Sequence, residues 1–239
     1  MLSEDRLAEL SVLEKTLDYK FNDSFLLNKA LTHKSYTNEK GGDLKNNERF
    51  EFLGDAVLDL IVSDYSILTY LDHSEGSLSK IRAAVVKESC LTVIANSLNL
   101  GKFLLLGKGE EYSGGRTKSS LLANAFEAVA GAIYKDGGLS AANKVFLPLL
   151  KDEINKVAMT SEYRDFKSEL QEFTQNKFSC IPSYRVVGEK GPDHQKVFEV
   201  SVFVKQKLLG TGTGKNKKQA EQTAAQEALL AYNSADLPK

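Results

Sequence analysis

The stretch Asn47-Glu48-Arg49-Phe50-Glu51-Phe52-Leu53-Gly54-Asp55-Ala56-Val57-Leu58-Asp59-Leu60 decides how most of this chain is organised. At roughly 100° per residue, Glu48, Glu51 and Asp55 fall on one narrow face of a helix. An apolar stripe beside that face consists of Phe52, Ala56 and Leu60, extended by Phe50, Leu53 and Val57. The pattern predicts a buried amphipathic helix that carries three carboxylates beside the core.

The three carboxylates indicate a shared cation, although a solvated helix face is the common alternative. Like charges on one face repel and cost about a few tenths of a kcal/mol per pair. Most acidic residues on helices nevertheless face water. The apolar flanks, and a second helix that offers further oxygen ligands, favour a metal site. Hard oxygen ligands suit Mg²⁺ or Mn²⁺.

Composition favours a soluble protein with an ordinary core and gives no sign of an overall basic, disulfide-linked or membrane-spanning chain. The chain has 239 residues, 42% of them hydrophobic, and a net charge of −1, so a nucleic-acid surface must be a local cluster. Cys90 and Cys180 belong to no metal or redox motif, which indicates buried reduced thiols. The N-terminus lacks the apolar region of a signal peptide, and no stretch is apolar enough to span a membrane. We expect a soluble, cytoplasmic protein without a membrane partner.

Helical periodicity dominates from Leu2 to about Asp152. The predicted helices cover residues 3–17, 23–32, 47–71, 77–87, 87–98, 119–134 and 140–157. We predict a polar loop at Thr37–Asn46 and a glycine-rich loop with at most a short helix at Gly101–Gly115. The helix at 119–134 is rich in alanine, and its small residues allow a neighbouring helix to approach closely.

The pattern changes after Thr160 and predicts a second domain. A helix at Tyr163–Lys177 precedes three strands and a last helix, at Ser183–Glu189, Lys196–Lys205, Lys207–Thr213 and Lys217–Tyr232. We therefore predict an all-α domain at residues 1–157, a linker at 158–162 and an α+β domain at 163–233. The second domain has the order α-β-β-β-α.

Several segments, in the expected order, resemble the ribonuclease III family. Asn47–Leu58 resembles the family signature, and further family-like segments are Leu31–Ser35, Glu75–Arg82, Gly114–Ser120 and Ala125–Ala128. The C-terminal unit resembles a double-stranded RNA-binding domain. Because the resemblance covers nearly the whole chain, it implies an all-α ribonuclease III endonuclease domain followed by an α+β double-stranded RNA-binding domain, as in bacterial members.

The resemblance implies a Mg²⁺-dependent endonuclease, in which Mn²⁺ can substitute. The family hydrolyses phosphodiesters of double-stranded RNA to 5′ phosphate and 3′ hydroxyl ends, in the processing of ribosomal RNA precursors, messenger RNA and other structured RNA. Carried over to this chain, Glu51, Asp55 and Glu127 become metal ligands, and Glu48 becomes a supporting acid of the catalytic site. Family nuclease domains also pair through the signature helix by a protruding aromatic residue, so we expect a homodimer.

Residue 124 departs from the family pattern. The family usually has aspartate three residues before the glutamate, whereas this chain has Asn124 before Glu127. An amide oxygen can coordinate Mg²⁺ but adds no negative charge, so we expect weaker metal binding. The alternatives are an engineered variant that cleaves poorly and a natural subgroup that tolerates a neutral ligand. A double-stranded RNA-binding protein with weak or no cleavage is the corresponding alternative function.

The predicted RNA contacts lie in three parts of the C-terminal domain. Lys217 and Lys218 place positive charge at a helix start, which favours a bound phosphate over a merely solubilising pair. Lys215 precedes them. The other contacts carried over from the family are Ser168, Gln171, Glu172 and Gln175 on the first helix and His194 in the loop Gly191–His194. This arrangement predicts recognition of the A-form shape of a duplex rather than its sequence.

Two further polar residues near the signature have open roles. Asp59 lies close to the acidic face, where solvent or a local ion pair is favoured over a metal. His33 lies in a family-like segment, and a structural histidine is favoured over a catalytic one.

Overall fold

The structure, a computed structural model, describes residues 2–41, 44–71, 73–160, 165–192 and 195–233. It divides into two compact units, the first made of Met1–Leu71 and Leu78–Ser161 and the second of Asp72–Ser77 and Glu162–Lys239. The domain boundaries expected from the sequence remain a prediction, although the helix that closes the first unit continues to Met159, through the first two residues of the predicted linker.

The first unit is helical, as the periodicity predicts. Its helices are α1 (Glu4–Leu17), α2 (Ser24–Ala30), α3 (Lys34–Lys40), α4 (Glu48–Thr69), α5 (Glu75–Val85), α6 (Glu88–Ser97), α7 (Leu100–Phe103), α8 (Lys108–Tyr112) and α9 (Ser119–Met159). A 3₁₀ turn at Gly115–Thr117 precedes α9. None of the helices among the described residues is both long and apolar enough to cross a membrane.

Helix α3 corrects the predicted polar loop at Thr37–Asn46, because the first four residues of that segment are helical. The side chain of His33 caps the helix by accepting a hydrogen bond from the Ser35 backbone N–H. Gly41 ends it with a φ of 65°, a left-handed value that glycine adopts without strain. The polar character of Thr37–Asn46 thus does not reveal the cap by which His33 starts this helix.

Helix α4 packs most extensively against α9, and this contact forms the centre of the first unit. The buried residues of α4 are Phe50, Gly54, Val57, Leu58, Ile61, Val62 and Ser66. The predicted apolar stripe is therefore wrong in part, because Phe52, Ala56 and Leu60 are exposed. The acidic row of α4 lies between its buried side and this exposed apolar side.

Helix α9 changes direction at Gly138, where φ is 77° and the helical dihedrals are interrupted. This break matches the two helices predicted at 119–134 and 140–157. Just before it, the Asp136 carboxylate accepts hydrogen bonds from the Tyr19 hydroxyl at 2.8 Å and the Asn22 N–H at 2.9 Å. It also accepts from the Asp23 N–H at 3.0 Å, so one side chain ties the start of α2 to α9.

The second unit has the predicted α-β-β-β-α order. It consists of α10 (Phe166–Phe178), β1 (Ser183–Lys190), β2 (Val197–Val204), β3 (Lys207–Gly214) and α11 (Lys217–Asn233). The three strands form an antiparallel sheet in the order β1-β2-β3. Val200, Val202 and Val204 are buried, and the first two belong to the core cluster that also contains Phe166 and Leu170 of α10.

Alternate glycines in β3 let α11 lie directly on the sheet. A Cβ added at Gly212 would lie 2.2 Å from the backbone nitrogen of Ala224, and one at Gly214 would lie 2.5 Å from that of Ala220. Ala220, Ala224 and Ala228 are fully buried against this strand side. The match of small residues fixes where α11 begins, and therefore where its first lysines stand.

Candidate active site and RNA interface

The acidic residues of α4 and α9 meet where the two backbones touch. Gly54 lies between Glu51 and Asp55, and a Cβ added there would lie 1.7 Å from the carbonyl oxygen of Glu127. One turn along α9, a Cβ on Gly131 would lie 2.3 Å from the carbonyl oxygen of Phe50. Only glycine permits such a crossing, and the close approach brings the three predicted carboxylates into one electrostatic neighbourhood.

Glu127 is the most strongly perturbed acid of this neighbourhood. Burial, followed by the negative charges of Asp55, Glu51 and Asp59, raises its pKa to about 7. A carboxyl that is half-buried among three other acids resists ionisation because desolvation and like charge both oppose it. A divalent cation would remove this penalty.

Glu51 lies on the α4 side of the same neighbourhood. Burial and the charge of Glu48 raise its pKa, while a hydrogen bond from the side chain of Asn124 acts in the opposite direction. Asn124 is partly buried one turn before Glu127 on α9. The Asn124 amide therefore lies beside Glu51 of the neighbouring helix, and its role as a metal ligand stays a prediction.

Glu48 is exposed at the edge of the cluster. Its carboxylate lies 3.3 Å from Lys34 Nζ and accepts a hydrogen bond from Asn46 Nδ2 at 3.1 Å. These two hydrogen bonds lower its pKa. Glu48 is thus already paired with a cation, which suits the supporting role expected for it better than that of a primary ligand.

Asp59 continues the acidic row of α4 by one turn beyond Asp55. It forms an ion pair with Arg82 of α5, in which Arg82 Nε lies 3.8 Å from Asp59 Oδ1. This agrees with the expectation of solvent or a local ion pair, rather than a metal, at Asp59. Arg82 also donates a hydrogen bond to Ser63 at 3.3 Å. Sequence reasoning did not single out Arg82, although it ends the family-like segment Glu75–Arg82. No signal in the sequence pairs it with Asp59.

The donor set fits a hard divalent cation. Glu51, Asp55, Glu127 and the amide of Asn124 offer oxygen ligands, and burial together with the like charges of the neighbouring acids raises the pKa of Glu127. Within the described part of the chain, however, no three acidic, imidazole or thiol groups are gathered tightly enough to enclose an ion as they stand. The carboxylates repel one another, so a cation would have to draw them together.

The predicted contacts on α10 share one face. Gln171, Glu172 and Gln175 are exposed, and Ser168 is partly exposed one turn before Gln171. The spacing i, i+3, i+4 and i+7 aligns them along the helix. His194 lies outside the described residues.

Lys215, Lys217 and Lys218 are all exposed at the start of α11. Asn216 caps this helix by accepting the Gln219 N–H at 2.9 Å, and the Gln219 side chain accepts the Lys215 N–H at 2.9 Å. Lys217 Nζ also lies 5.8 Å from the centre of the Phe198 ring. The backbone N–H groups of Lys215 and Gln219 are thus satisfied internally, so a phosphate bound here would depend chiefly on the lysine side chains.

Comparison with known proteins agrees with both halves of this description. Residues 23–154 match the family described as Ribonuclease-III-like, and residues 166–232 match the Double-stranded RNA binding motif. Ribonuclease 3 of a Nitratiruptor species is 46% identical over 223 residues, which cover 93% of this chain and 96% of that protein. Ribonuclease 3 of Syntrophomonas wolfei is 47% identical over 229 residues, covering 96% and 97%.

A solved structure resembles the first unit. The nuclease domain of ribonuclease III from Campylobacter jejuni is 47% identical, with a TM-score of 0.55, and the match covers 59% of this chain and 96% of that domain. With a helical unit that gathers carboxylates at a helix crossing, followed along the chain by an α-β-β-β-α unit, this chain belongs to the ribonuclease III family of endoribonucleases.

Proposed function

We propose that this chain is a divalent-metal-dependent endonuclease that hydrolyses phosphodiesters of double-stranded RNA, leaving 5′ phosphate and 3′ hydroxyl ends. The observation that carries the proposal is the glycine crossing of α4 and α9, which gathers Glu51, Asp55 and Glu127. Incubation of labelled duplex RNA with the protein and Mg²⁺ tests it. We expect internal cuts with those end groups, and a duplex left intact would contradict the proposal.

The metal would be Mg²⁺, for which Mn²⁺ can substitute, held by Glu51, Asp55, Asn124 and Glu127. When bound, such an ion supplies an activated water and stabilises the charge on the leaving 3′ oxygen. Glu48, paired with Lys34, would keep a negative charge beside Glu51 without occupying the ligand set. Asn124 would hold Glu51 through its amide hydrogen bond.

The C-terminal unit would bind the duplex by its shape. Gln171 and its neighbours Ser168, Glu172 and Gln175 present polar groups to 2′-hydroxyls of the shallow minor groove, together with His194. Lys215, Lys217 and Lys218 would contact phosphates across the adjacent major groove. Because none of these contacts reads a base edge, binding would extend to duplexes of any sequence.

The nuclease domain would form a homodimer through the exposed side of α4. Phe52 is 81% exposed, and Leu60, Ile67 and Leu68 follow it as exposed apolar residues along the same helix. An apolar surface of this kind marks an interface more often than a free surface. The nuclease domain of the Campylobacter jejuni protein has a structurally flexible region that is involved in dimer formation. Two active sites in such a dimer would cut the two strands.

In the cell, we propose a cytoplasmic enzyme that processes ribosomal RNA precursors, messenger RNA and other structured RNA. Cys90 and Cys180 are free thiols, as a reducing compartment allows. Because the proposed binding depends on the shape of the duplex and not on its sequence, one enzyme could act on many folded transcripts.

A second candidate function rests on Asn124. With an amide in place of a carboxylate, the chain would act as a double-stranded RNA-binding protein that cleaves weakly or not at all. Parallel incubations of labelled duplex with Mg²⁺ and with Ca²⁺ separate the two functions. Retention of the duplex without cuts in both would favour the second candidate, whereas cuts with Mg²⁺ alone would favour the nuclease.

A further inference from the structure

The His33 ring is fixed in one tautomer by the cap of α3. Its Nδ1 accepts the Ser35 backbone N–H at 3.2 Å and lies 2.8 Å from the Ser35 hydroxyl. Because Nδ1 accepts the Ser35 N–H, it has no hydrogen of its own, so the Ser35 hydroxyl donates to it while accepting the Gly107 N–H at 2.9 Å. Because two hydrogens are directed at Nδ1, this nitrogen carries none, and the neutral ring has its proton on Nε2.

The backbone holds the same residue in place. The His33 N–H donates to the Leu105 carbonyl at 3.0 Å, and the Leu105 N–H donates to the Leu31 carbonyl at 2.8 Å. Burial lowers the pKa of His33, which favours the neutral form that the cap requires. The ring is therefore anchored through its backbone and through Nδ1.

His33 also lines a small cavity that it shares with residues of the acidic cluster. The cavity has a volume of about 40 Å³ and is lined by His33, Lys34, Glu48, Glu51, Asn124 and Leu121, among others. A polar cavity of this size admits ordered water. With Nδ1 committed to the cap, Nε2–H is the one donor of the ring that remains for the cavity.

We propose that His33 is a positioning residue of the active site, whose Nε2–H donates through water in this cavity to the Glu51 carboxylate. The inference rests on the proposed nuclease function. Glu51 then receives one donor from α9, the Asn124 amide, and one from the segment that leads into α3. Both hold its carboxylate toward Asp55 and Glu127, and the cap role of His33 is served at the same time by its other nitrogen.

Two substitutions of His33 separate the capping role of Nδ1 from the donor role of Nε2–H. His33→Asn keeps an acceptor near the position of Nδ1 but removes Nε2–H, whereas His33→Gln keeps an N–H near the position of Nε2 but disturbs the cap. For His33→Asn we expect unchanged thermal stability without metal. The Mg²⁺ concentration for half-maximal thermal stabilisation should rise about 10-fold, and kcat on duplex RNA should fall about 10-fold, with KM unchanged. His33→Gln should show the reverse, with lower stability and a nearly normal Mg²⁺ response.

A wild-type Mg²⁺ response and kcat in His33→Asn would overturn the inference. ¹⁵N NMR of the imidazole in the unmodified protein is an independent readout of the tautomer, and it can still overturn the proposal if both variants fail to fold. We expect the Nε2–H tautomer at pH 7, and a proton on Nδ1 would also overturn the proposal. A wild-type chain that leaves duplex RNA uncut would remove the proposed function, whereas the NMR and Mg²⁺ readouts would still decide the role of His33.

Discussion

At residue 124 an amide stands where a carboxylate would bring a fourth negative charge to Glu51, Asp55 and Glu127. In the absence of a cation, the amide limits repulsion, because it donates a hydrogen bond to Glu51 instead of adding to the charge that raises the pKa of Glu127. With a cation bound as proposed, the same amide would be a weaker ligand than a carboxylate. We therefore expect Asn124 to lower the affinity for Mg²⁺ and to stabilise the cluster of acids when no metal is bound.

Asn124→Asp should therefore strengthen metal binding. We expect the Mg²⁺ concentration that supports half-maximal cleavage to fall about tenfold, since charge at a ligand position tunes divalent affinity over such ranges. The variant should also be less stable than the wild type in EDTA, because a further carboxylate joins the cluster. Mg²⁺ titrations of cleavage and thermal unfolding in EDTA measure the two effects. Superimposable titration curves would show that residue 124 does not contact the metal.

Asp136 predicts a pH dependence of stability away from the acidic cluster. Burial acts to raise its pKa, but hydrogen bonds from Asn22, Tyr19 and Asp23 outweigh it and hold the pKa below the ordinary value. A depressed pKa of an acid means that its stabilisation is complete above pH 3.8 and is lost as the pH falls through the folded-state value. Below that pH, the hydrogen bonds that Asp136 accepts from Tyr19 and from the backbone at the start of α2 weaken.

Asp136→Asn should lower the free energy of unfolding by about 2 kcal/mol at pH 7, because charge-assisted hydrogen bonds become neutral ones. Urea denaturation at pH 7 and pH 3 measures the difference between the variant and the wild type. We expect the difference to shrink at pH 3. A difference that is equal at the two pH values would contradict the proposed role of the ionised carboxylate.

At the scale of elements, the crossing of α4 and α9 determines the site. The two helices meet at Gly54 and Gly131, and the acids one residue or one turn away follow from that contact. In the second unit, Gly212 and Gly214 play a comparable part under α11. In both units, close backbone contact at glycine thus positions the side chains that we propose to be functional.

Gly54→Ala tests the crossing directly. The added Cβ would lie 1.7 Å from the Glu127 carbonyl oxygen, which belongs to the backbone and cannot move alone. We expect a loss of about 3 kcal/mol in the free energy of unfolding, as overpacking separates the helices. Gly109→Ala is the matched control, since nothing lies within 4 Å of its Cβ position, and it should be neutral or slightly stabilising. Equal stability of the two variants in urea denaturation would contradict the account.

Periodicity predicted much of the architecture, but several determinants required the fold. The sequence located α4, the alanine-rich part of α9 and the α-β-β-β-α unit, since each has a clear period. It did not show which side of α4 is buried, because Phe52 and Phe50 are equally apolar and only the position of α9 distinguishes them. The pair of Asp59 with Arg82 likewise depends on a contact between two separate helices, whereas the cap by His33 is a local contact with Ser35.

At the scale of the whole molecule, the exposed side of α4 predicts self-association. Phe52→Glu should prevent dimer formation, because it places a charge at the centre of an apolar surface. Sedimentation at micromolar concentration should give a dimer for the wild type and a monomer for the variant. Lys15→Glu, at an exposed position on α1, is a control that should remain dimeric. A monomeric wild type would contradict the proposed dimer.

We infer that the carboxylates at the α4–α9 crossing carry out metal-dependent cleavage of duplex RNA, while the C-terminal unit only binds it. Glu127→Gln removes one charge and leaves the shape of the side chain nearly unchanged. The most direct test compares this variant with the wild type on labelled duplex RNA in Mg²⁺, with binding measured in parallel in Ca²⁺. We expect cleavage by the wild type, cleavage slower by at least about 100-fold for Glu127→Gln, and equal binding by both. Cleavage at the same rate by the two proteins would contradict it.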